Sequence, residues 1–141
     1  FSRYAYQGLV PIFPDAVRSV PFLDWMSQND TILAVAGIGN PRPFIRYLKS
    51  FLPRVKVNVF PDHHSYTRKD IDLIRNRYNS MKGENRIIVT TEKDAVRLEC
   101  NPYFPHELKA VTFYLPIKVE FVNRHTTDDF ADSIRELIRK H

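Results

Sequence analysis

The chain has 141 residues, of which 43% are hydrophobic and 26% are charged, and its 21 Lys and Arg against 16 Asp and Glu give a net charge of +5. A length near that of one average domain, with this composition, excludes a disordered chain, a collagen and a coiled coil. The single cysteine, Cys100, excludes an internal disulfide and a zinc finger, and no apolar run approaches the roughly 20 residues that span a bilayer.

The positive net charge permits an anionic partner, such as a phosphate, an anionic lipid or a nucleic acid. The basic residues are scattered along the sequence, without a Lys/Arg run or a glycine-aromatic RNA-binding signature, so we expect no nucleic-acid partner. The chain starts at Phe1 without an initiator Met, which favours a fragment of a longer polypeptide.

The first predicted strand is the nearly continuous apolar run of residues 31–39, which ends in glycines. Such a run is typical of a strand that is buried on both faces of a parallel sheet. Apolar residues at helical spacing follow, and prolines are tolerated in a first helical turn but not beyond it. We therefore predict a helix over residues 42–52, which Pro53 ends.

Valines alternate with polar residues over positions 55–59 and predict a second strand, which ends at Pro61. Thr67 and Asp70 have the spacing of a capping box, so we expect a second helix to begin there. Gly83 is the expected end of that helix.

Residues 86–91 predict a third buried strand, and residues 92–98 predict a loop and a helical turn after it. The order strand, helix, strand, helix, strand implies parallel strands joined by right-handed crossovers. We predict an α/β fold with three layers, a Rossmann-like small parallel sheet with flanking helices. In such sheets, ligands bind at the carboxyl ends of the strands.

Two strand-like segments that contain prolines flank this core, at residues 4–13 and 111–121. Because proline belongs at the edge or at a break of a sheet, we expect the two segments to pair as a two-stranded antiparallel arm outside the main sheet. Apolar residues on one face predict a terminal helix over residues 127–140, capped by Thr127. Residues 1–141 are thus expected to form a single α/β domain with an arm.

One polar cluster follows each of the three predicted strands. Because the carboxyl ends of the strands line one crevice, we expect clusters that are far apart in the sequence to meet there. The clusters are Gly37, Gly39 and Asn40; Asp62, His63 and His64; and Thr91, Glu92, Lys93 and Asp94.

The glycine cluster permits two interpretations. Glycines let the backbone turn sharply and approach a ligand, but Arg42 stands where a dinucleotide fingerprint has a third small residue, and Pro41 and Pro43 remove two N–H donors. A tight strand-to-helix turn is therefore favoured over nicotinamide binding. No G-x-x-x-x-G-K-[ST] sequence is present, so we do not expect this chain to cradle a nucleoside triphosphate.

The cluster of Asp62, His63 and His64 is compatible with three roles. A histidine beside a carboxylate can transfer protons near neutral pH, the same side chains can ligate a divalent metal as in manganese-dependent phosphoesterases, and Asp62 can simply cap a turn. The lack of an Asp-x-Asp pair at a strand end argues against the metal site. In the third cluster, Lys93 can contact a phosphate, although alternating charges are more often a solvated helix start.

Three sequence motifs occur in order, namely residues 34–41 with Phe44, residues 60–64 with Tyr66 and Asp70, and residues 91–96. Together they resemble the tetraacyldisaccharide 4'-kinases of lipid A biosynthesis, and the resemblance extends from Gly8 to the C-terminus. Members of that family are membrane-associated and have an N-terminal P-loop domain that holds Mg-ATP, joined by a β-strand arm to a smaller C-terminal α/β domain. The resemblance implies that this chain is the C-terminal part.

By this resemblance, the full enzyme transfers the γ-phosphoryl group of ATP to the 4'-hydroxyl of a tetraacyldisaccharide 1-phosphate at the cytoplasmic face of the bacterial inner membrane. The P-loop domain of the same polypeptide would bind ATP and Mg²⁺. The lipid disaccharide and the membrane surface are the further partners that the resemblance implies. No cofactor and no metal are expected in this chain alone.

The resemblance also implies that a histidine of the Asp-His-His motif works with an aspartate of the P-loop domain to activate the hydroxyl. His63 is the first candidate, Asp62 its orienting or charge-balancing partner, and His64 the second candidate. The glycine cluster and the cluster of residues 91–94 then line the crevice that faces the nucleotide or the other domain. The alternative is a metal-dependent phosphoesterase or a nucleotide-binding module that uses the Asp-His-His motif.

Overall fold

The computed structural model describes residues 2–6, 8–17, 19–21, 26, 29–52 and 54–121. The chain divides into two compact units, one of Gly8–Leu115 and one of Phe1–Gln7 with Pro116–His141. In chain order the strands are β1 (Ser2–Tyr6), β2 (Val10–Pro11), β3 (Thr31–Ala36), β4 (Val55–Val59), β5 (Arg86–Thr91), β6 (Thr112–Leu115) and β7 (Ile117–Phe121). The α-helices are α1 (Arg42–Lys49), α2 (Arg68–Ser80) and α3 (Glu92–Glu99), and short 3₁₀ helices span Pro14–Ala16 and His106–Val111.

The larger unit is built on a five-stranded sheet with the strand order β2-β6-β5-β3-β4. Strands β3 to β6 are parallel, with Ala34 of β3 paired to Val57 of β4 and to Val89 of β5, whereas the short β2 runs antiparallel to β6. Every residue of β3 is buried, as expected for a central strand that is covered on both faces. The predicted α/β fold is confirmed.

The path of the chain across the sheet decides which face each helix covers. From β3 the chain passes through α1 to β4 on one side, and then through α2 to β5 on the other side of β3. Right-handed crossovers therefore place α1 and α2 on opposite faces. Leu33, Val35 and Ile88 pack in one core cluster with apolar residues of α2 and α3, which puts α3 on the same face as α2. The reversal creates a topological switch point between β3 and β5.

Local sequence signals set the ends of the helices. The side chain of Thr67 accepts a hydrogen bond from the N–H of Asp70, and the Asp70 carboxylate accepts one from the N–H of Thr67, so the predicted capping box begins α2. Helix α1 ends at Lys49, three residues before the predicted end. The helical conformation is disfavoured at Leu52, because this residue directly precedes Pro53, so the chain leaves the helix in the turn before the proline.

The flanking segments are divided between the two units. Strands β1 and β7 pair antiparallel over their whole length, as predicted for an arm. The structure differs for β2 and β6, which belong to the main sheet because β6 pairs in parallel with β5. Phe113 and Leu115 of β6 are buried, so their side chains extend the core, and Pro11 lies on the edge strand β2, where a missing N–H is tolerated.

The helix predicted over residues 127–140, with its cap at Thr127, lies outside the described residues. Within the part of the chain that the structure describes, no helix is both long and apolar enough to cross a bilayer.

Candidate functional site

The three segments that follow β3, β4 and β5, called here the loops of the site, meet at the carboxyl edge of the sheet, and the third of them is the first turn of α3. A Cβ atom placed on Gly37 would lie 3.1 Å from Oδ1 of Asp94 and 3.1 Å from Cβ of His64. A Cβ atom placed on Gly39 would lie 3.2 Å from a carboxylate oxygen of Asp62. Each of the three predicted clusters therefore contributes to one site, and glycine at position 37 permits the close approach.

Asp94 lies at the centre of this site. Its fully buried carboxylate accepts hydrogen bonds from the N–H of Gly37 at 2.9 Å, the hydroxyl of Thr91 at 2.6 Å and the hydroxyl of Tyr66 at 3.0 Å. A guanidinium nitrogen of Arg97 lies 3.1 Å from Oδ1 and supplies the opposite charge. Because a buried carboxylate is tolerated only when it is paired and hydrogen-bonded, these donors allow Asp94 to join the three loops.

Tyr66 connects Asp94 to the loop that carries the histidines. Burial, together with the adjacent Asp94 carboxylate, raises the pKa of the Tyr66 hydroxyl, so this group stays protonated and donates its hydrogen bond. The Tyr66 ring lies edge-on to the imidazole of His64, with 5.0 Å between the ring centroids. The side-chain amide of Asn101 donates to the backbone C=O of Tyr66 at 2.9 Å, which holds this loop against the end of α3.

His64 is fixed by its neighbours. Its Nε2 atom lies 2.7 Å from Oδ2 of Asp70, and its ring stacks on Phe60 with 4.8 Å between the centroids. Only 19% of its side chain is exposed. One ring nitrogen is therefore already used inside the protein, which makes His64 a structural partner of the α2 capping box.

Replacing Asp70 by asparagine is expected to lower the free energy of unfolding at pH 7 by about 1 to 2 kcal/mol. Burial alone would raise the pKa of the Asp70 carboxyl, but hydrogen bonds from Thr67 and His64 hold this pKa below its ordinary value of 3.8. A carboxyl with a lowered pKa stabilises the fold above the ordinary value, and this contribution is lost as the pH falls through the lowered pKa. The difference between wild type and variant in urea unfolding should therefore shrink when the pH falls below about 4.

Asp72→Asn on the same helix is the matched control. Asp72 forms an exposed ion pair with Arg75 at 3.6 Å, so its replacement should change the free energy of unfolding by less than about 0.5 kcal/mol at either pH. A loss in Asp70→Asn that does not depend on pH would contradict the stabilising role of the ionised carboxylate.

His63 has the opposite environment. Its side chain is 79% exposed, and its Nε2 atom lies 3.6 Å from Oδ2 of Asp62, which itself approaches Gly39. The backbone of His63 has φ of 58°, a left-handed conformation that non-glycine residues adopt rarely. Strained backbone of this kind concentrates at functional sites, and His63 therefore differs from His64 in both its exposure and its backbone conformation.

The other predicted site residues separate into buried and exposed groups. Thr91 is buried and caps α3 by accepting a hydrogen bond from the N–H of Asp94. Glu92 and Lys93 are exposed in the first turn of α3, and Asn40 is exposed just before α1. These three side chains are therefore accessible to solvent.

Three residues of the site were not among the predicted site residues. Tyr66 and Asp70 belong to the motif of the second cluster, but sequence alone assigned Tyr66 no role and Asp70 only a role in the capping box of α2. Arg97 donates to the C=O of Gly37 at 3.2 Å. Its pairing with Asp94 could have been predicted from the sequence, because the two residues are one helical turn apart.

Among the described residues, no group of three or more His, Cys, Asp or Glu side chains is arranged to hold a metal ion. In the loop after β3, the N–H of Gly37 is bonded to Asp94, and Pro41 and Pro43 have no N–H, so these three positions offer no donor to a phosphate.

The comparisons with known proteins match one family. The family model described as Tetraacyldisaccharide-1-P 4'-kinase matches residues 15–139. The curated protein named tetraacyldisaccharide 4'-kinase from Bacteroides thetaiotaomicron is 36% identical over 148 residues, covering 100% of this chain and 38% of the relative. The protein of the same name from Bacteroides fragilis is 33% identical over 142 residues, with the same coverage.

A relative from another genus has the same percentage identity over less of the chain. The tetraacyldisaccharide 4'-kinase of Flavobacterium johnsoniae is 36% identical over 114 residues, which is 81% of this chain and 29% of that protein. The chain thus spans 38% of the length of its two Bacteroides relatives. No solved structure matches.

Proposed function

Because the chain belongs to the tetraacyldisaccharide-1-P 4'-kinase family, we propose that it is the part of a lipid kinase that activates the acceptor hydroxyl. The reaction transfers the γ-phosphoryl group of ATP to the 4'-hydroxyl of a tetraacyldisaccharide 1-phosphate, in the biosynthesis of lipid A. The observation that supports this role is the exposed imidazole of His63, held beside Asp62 where the three loops of the site meet.

His63 acts as the proton acceptor in this proposal. As the 4'-oxygen forms its bond to the γ-phosphorus, the bond from that phosphorus to the bridging oxygen of ADP breaks, and the hydroxyl proton passes to an imidazole nitrogen of His63. Asp62 lies close enough to stabilise the imidazolium that results, since 3.6 Å separates its Oδ2 from Nε2 of His63. His64 and Asp70 contribute by fixing the loop on which His63 sits.

The remainder of the machinery belongs to the rest of the polypeptide in this proposal. The chain spans 38% of its Bacteroides relatives, and the N–H of Gly37 is already bonded to Asp94, which leaves the glycine loop with fewer donors for a triphosphate. An N-terminal P-loop domain would hold ATP and Mg²⁺ and supply the partner aspartate. The exposed side chains of Asn40, Glu92 and Lys93 would face that domain or the nucleotide. The acylated substrate places the reaction at a membrane surface, for which we propose the cytoplasmic face of the inner membrane.

Transfer of labelled phosphate from ATP to the lipid disaccharide tests this function. We expect turnover by the polypeptide that joins this chain to its P-loop domain, and no turnover by the 141 residues alone. Turnover by the 141 residues alone would show that the site is complete within them, and no turnover by the longer polypeptide would refute the kinase assignment. Stoichiometric manganese or zinc in the purified chain would instead support the phosphoesterase alternative.

A further inference from the structure

The net positive charge of the chain arises in one segment, because that segment has basic residues but no acidic ones. No acidic residue occurs between Asp30 and Asp62, although 31 residues with the average composition of this chain would include three or four. The basic residues of this segment are Arg42, Arg46, Lys49, Arg54 and Lys56. They account for the whole net charge of +5, and the rest of the chain has equal numbers of basic and acidic residues.

Three of these residues form a basic stripe on α1, defined here as Arg42, Arg46 and Lys49. Their spacing of four and three residues places them on one side of a helix, and all three are exposed. Phe44 and Leu48 lie on the opposite side and are buried against the sheet, with 1% and 0% exposure. The sequence alone suggested scattered basic residues, but the helix brings these three into line.

The charges of the basic stripe are not neutralised within the described residues. The ion pairs described there join Asp62, Asp70, Asp72 and Asp94 to His63, His64, Arg75 and Arg97. Helix α1 also has no acidic residue in its first turn, whereas α2 carries Asp70 and Asp72 among its basic residues. A partner with negative charge would therefore meet the full charge of the stripe.

The stripe starts at the candidate site. Helix α1 begins two residues after Asn40, so Arg42 lies near the carboxyl edge of the sheet where the loops meet. With eight residues, the helix extends about 12 Å away from that edge. A flat anionic surface in contact with the stripe would therefore lie next to the entrance of the site.

We propose that the basic stripe docks on the anionic headgroups of a phospholipid bilayer. The inference rests on the proposed function, because a substrate with four acyl chains has to be taken from a bilayer. Arginine and lysine suit this position, since their aliphatic parts can lie against lipid while the charged ends contact phosphates. Three charges within about 12 Å provide a contact with headgroups, while base-stacking aromatic side chains for a nucleic acid are lacking on the exposed side of α1.

Binding to vesicles tests this proposal without any turnover. The wild-type chain and Arg42→Gln/Arg46→Gln/Lys49→Gln are mixed with sucrose-loaded vesicles of phosphatidylcholine with 30% phosphatidylglycerol, and the bound fraction is measured by sedimentation. Each lost charge should weaken binding about fivefold, so the triple variant should bind about 100-fold more weakly. Binding of the wild type should fall in 0.5 M salt and on vesicles of phosphatidylcholine alone.

Lys69→Gln/Arg77→Gln/Lys82→Gln is the matched control, because it removes three exposed charges on or just after α2, on the other face of the sheet. It should bind within about threefold of the wild type. Equal loss of binding in both variants, no binding by the wild type, or tighter binding to a DNA duplex at the same salt concentration would overturn the proposal.

Circular dichroism spectra that match the wild type show that both variants fold. A kinase assignment that fails would leave vesicle binding intact, so the two failures are distinguishable.

Discussion

Replacing His63 by alanine in the polypeptide that includes the P-loop domain is expected to lower kcat by about 10² to 10⁴-fold, the range for a lost general base. In the proposed mechanism the exposed imidazole beside Asp62 takes the hydroxyl proton, whereas Nε2 of His64 is already bonded to Asp70. KM for ATP should change little, because the proposed ATP contacts lie in the P-loop domain.

A second substitution separates the chemistry of His63 from its backbone. Asparagine tolerates positive φ better than most residues, so His63→Asn should keep the loop and still lose turnover. His106→Ala is the matched control, since His106 is an exposed histidine of the 3₁₀ helix that precedes β6. A rate unchanged in His63→Ala, together with a rate lost in His64→Ala, would assign the proton transfer to His64.

Much of the fold was predictable because its signals are local. The apolar run of residues 31–39, the alternating valines of β4 and the capping box at Thr67 each depend on neighbours in sequence, and each predicted its element. The place of β6 was not predictable in this way, since the burial of Phe113 and Leu115 depends on pairing with β5 and not on their own segment. Prolines near both flanks indicated an arm, which is only partly correct.

The candidate site, too, could be predicted only in part from the sequence. Its location followed from topology, since polar clusters after parallel strands meet at one edge of a sheet. The different environments of His63 and His64 could not be predicted, because they depend on one residue with positive φ. Similarly, Asp94 is buried while its neighbour Lys93 is exposed, a difference set by how α3 is rotated against the sheet.

Replacing Asp94 by alanine is expected to lower the free energy of unfolding by about 3 to 5 kcal/mol, the cost of removing one partner of a buried ion pair. The variant leaves the Tyr66 hydroxyl and the N–H of Gly37 without their acceptor, and the Arg97 guanidinium keeps only its bond to the C=O of Gly37 and loses its opposite charge. Urea unfolding measures this loss. Glu92→Ala on the same helix is the matched control, since Glu92 is exposed and should change the free energy by less than about 0.5 kcal/mol.

The double variant Asp94→Ala/Arg97→Ala shows whether the loss comes from the ion pair. Removing Arg97 as well takes away the uncompensated charge, so the double variant should be more stable than the sum of the two single losses predicts, by about 1 to 3 kcal/mol. Strict additivity would mean that Asp94 acts mainly through Gly37, Thr91 and Tyr66. In that case the carboxylate would still join the three loops of the site, but through hydrogen bonds to uncharged groups and not through its pairing with Arg97.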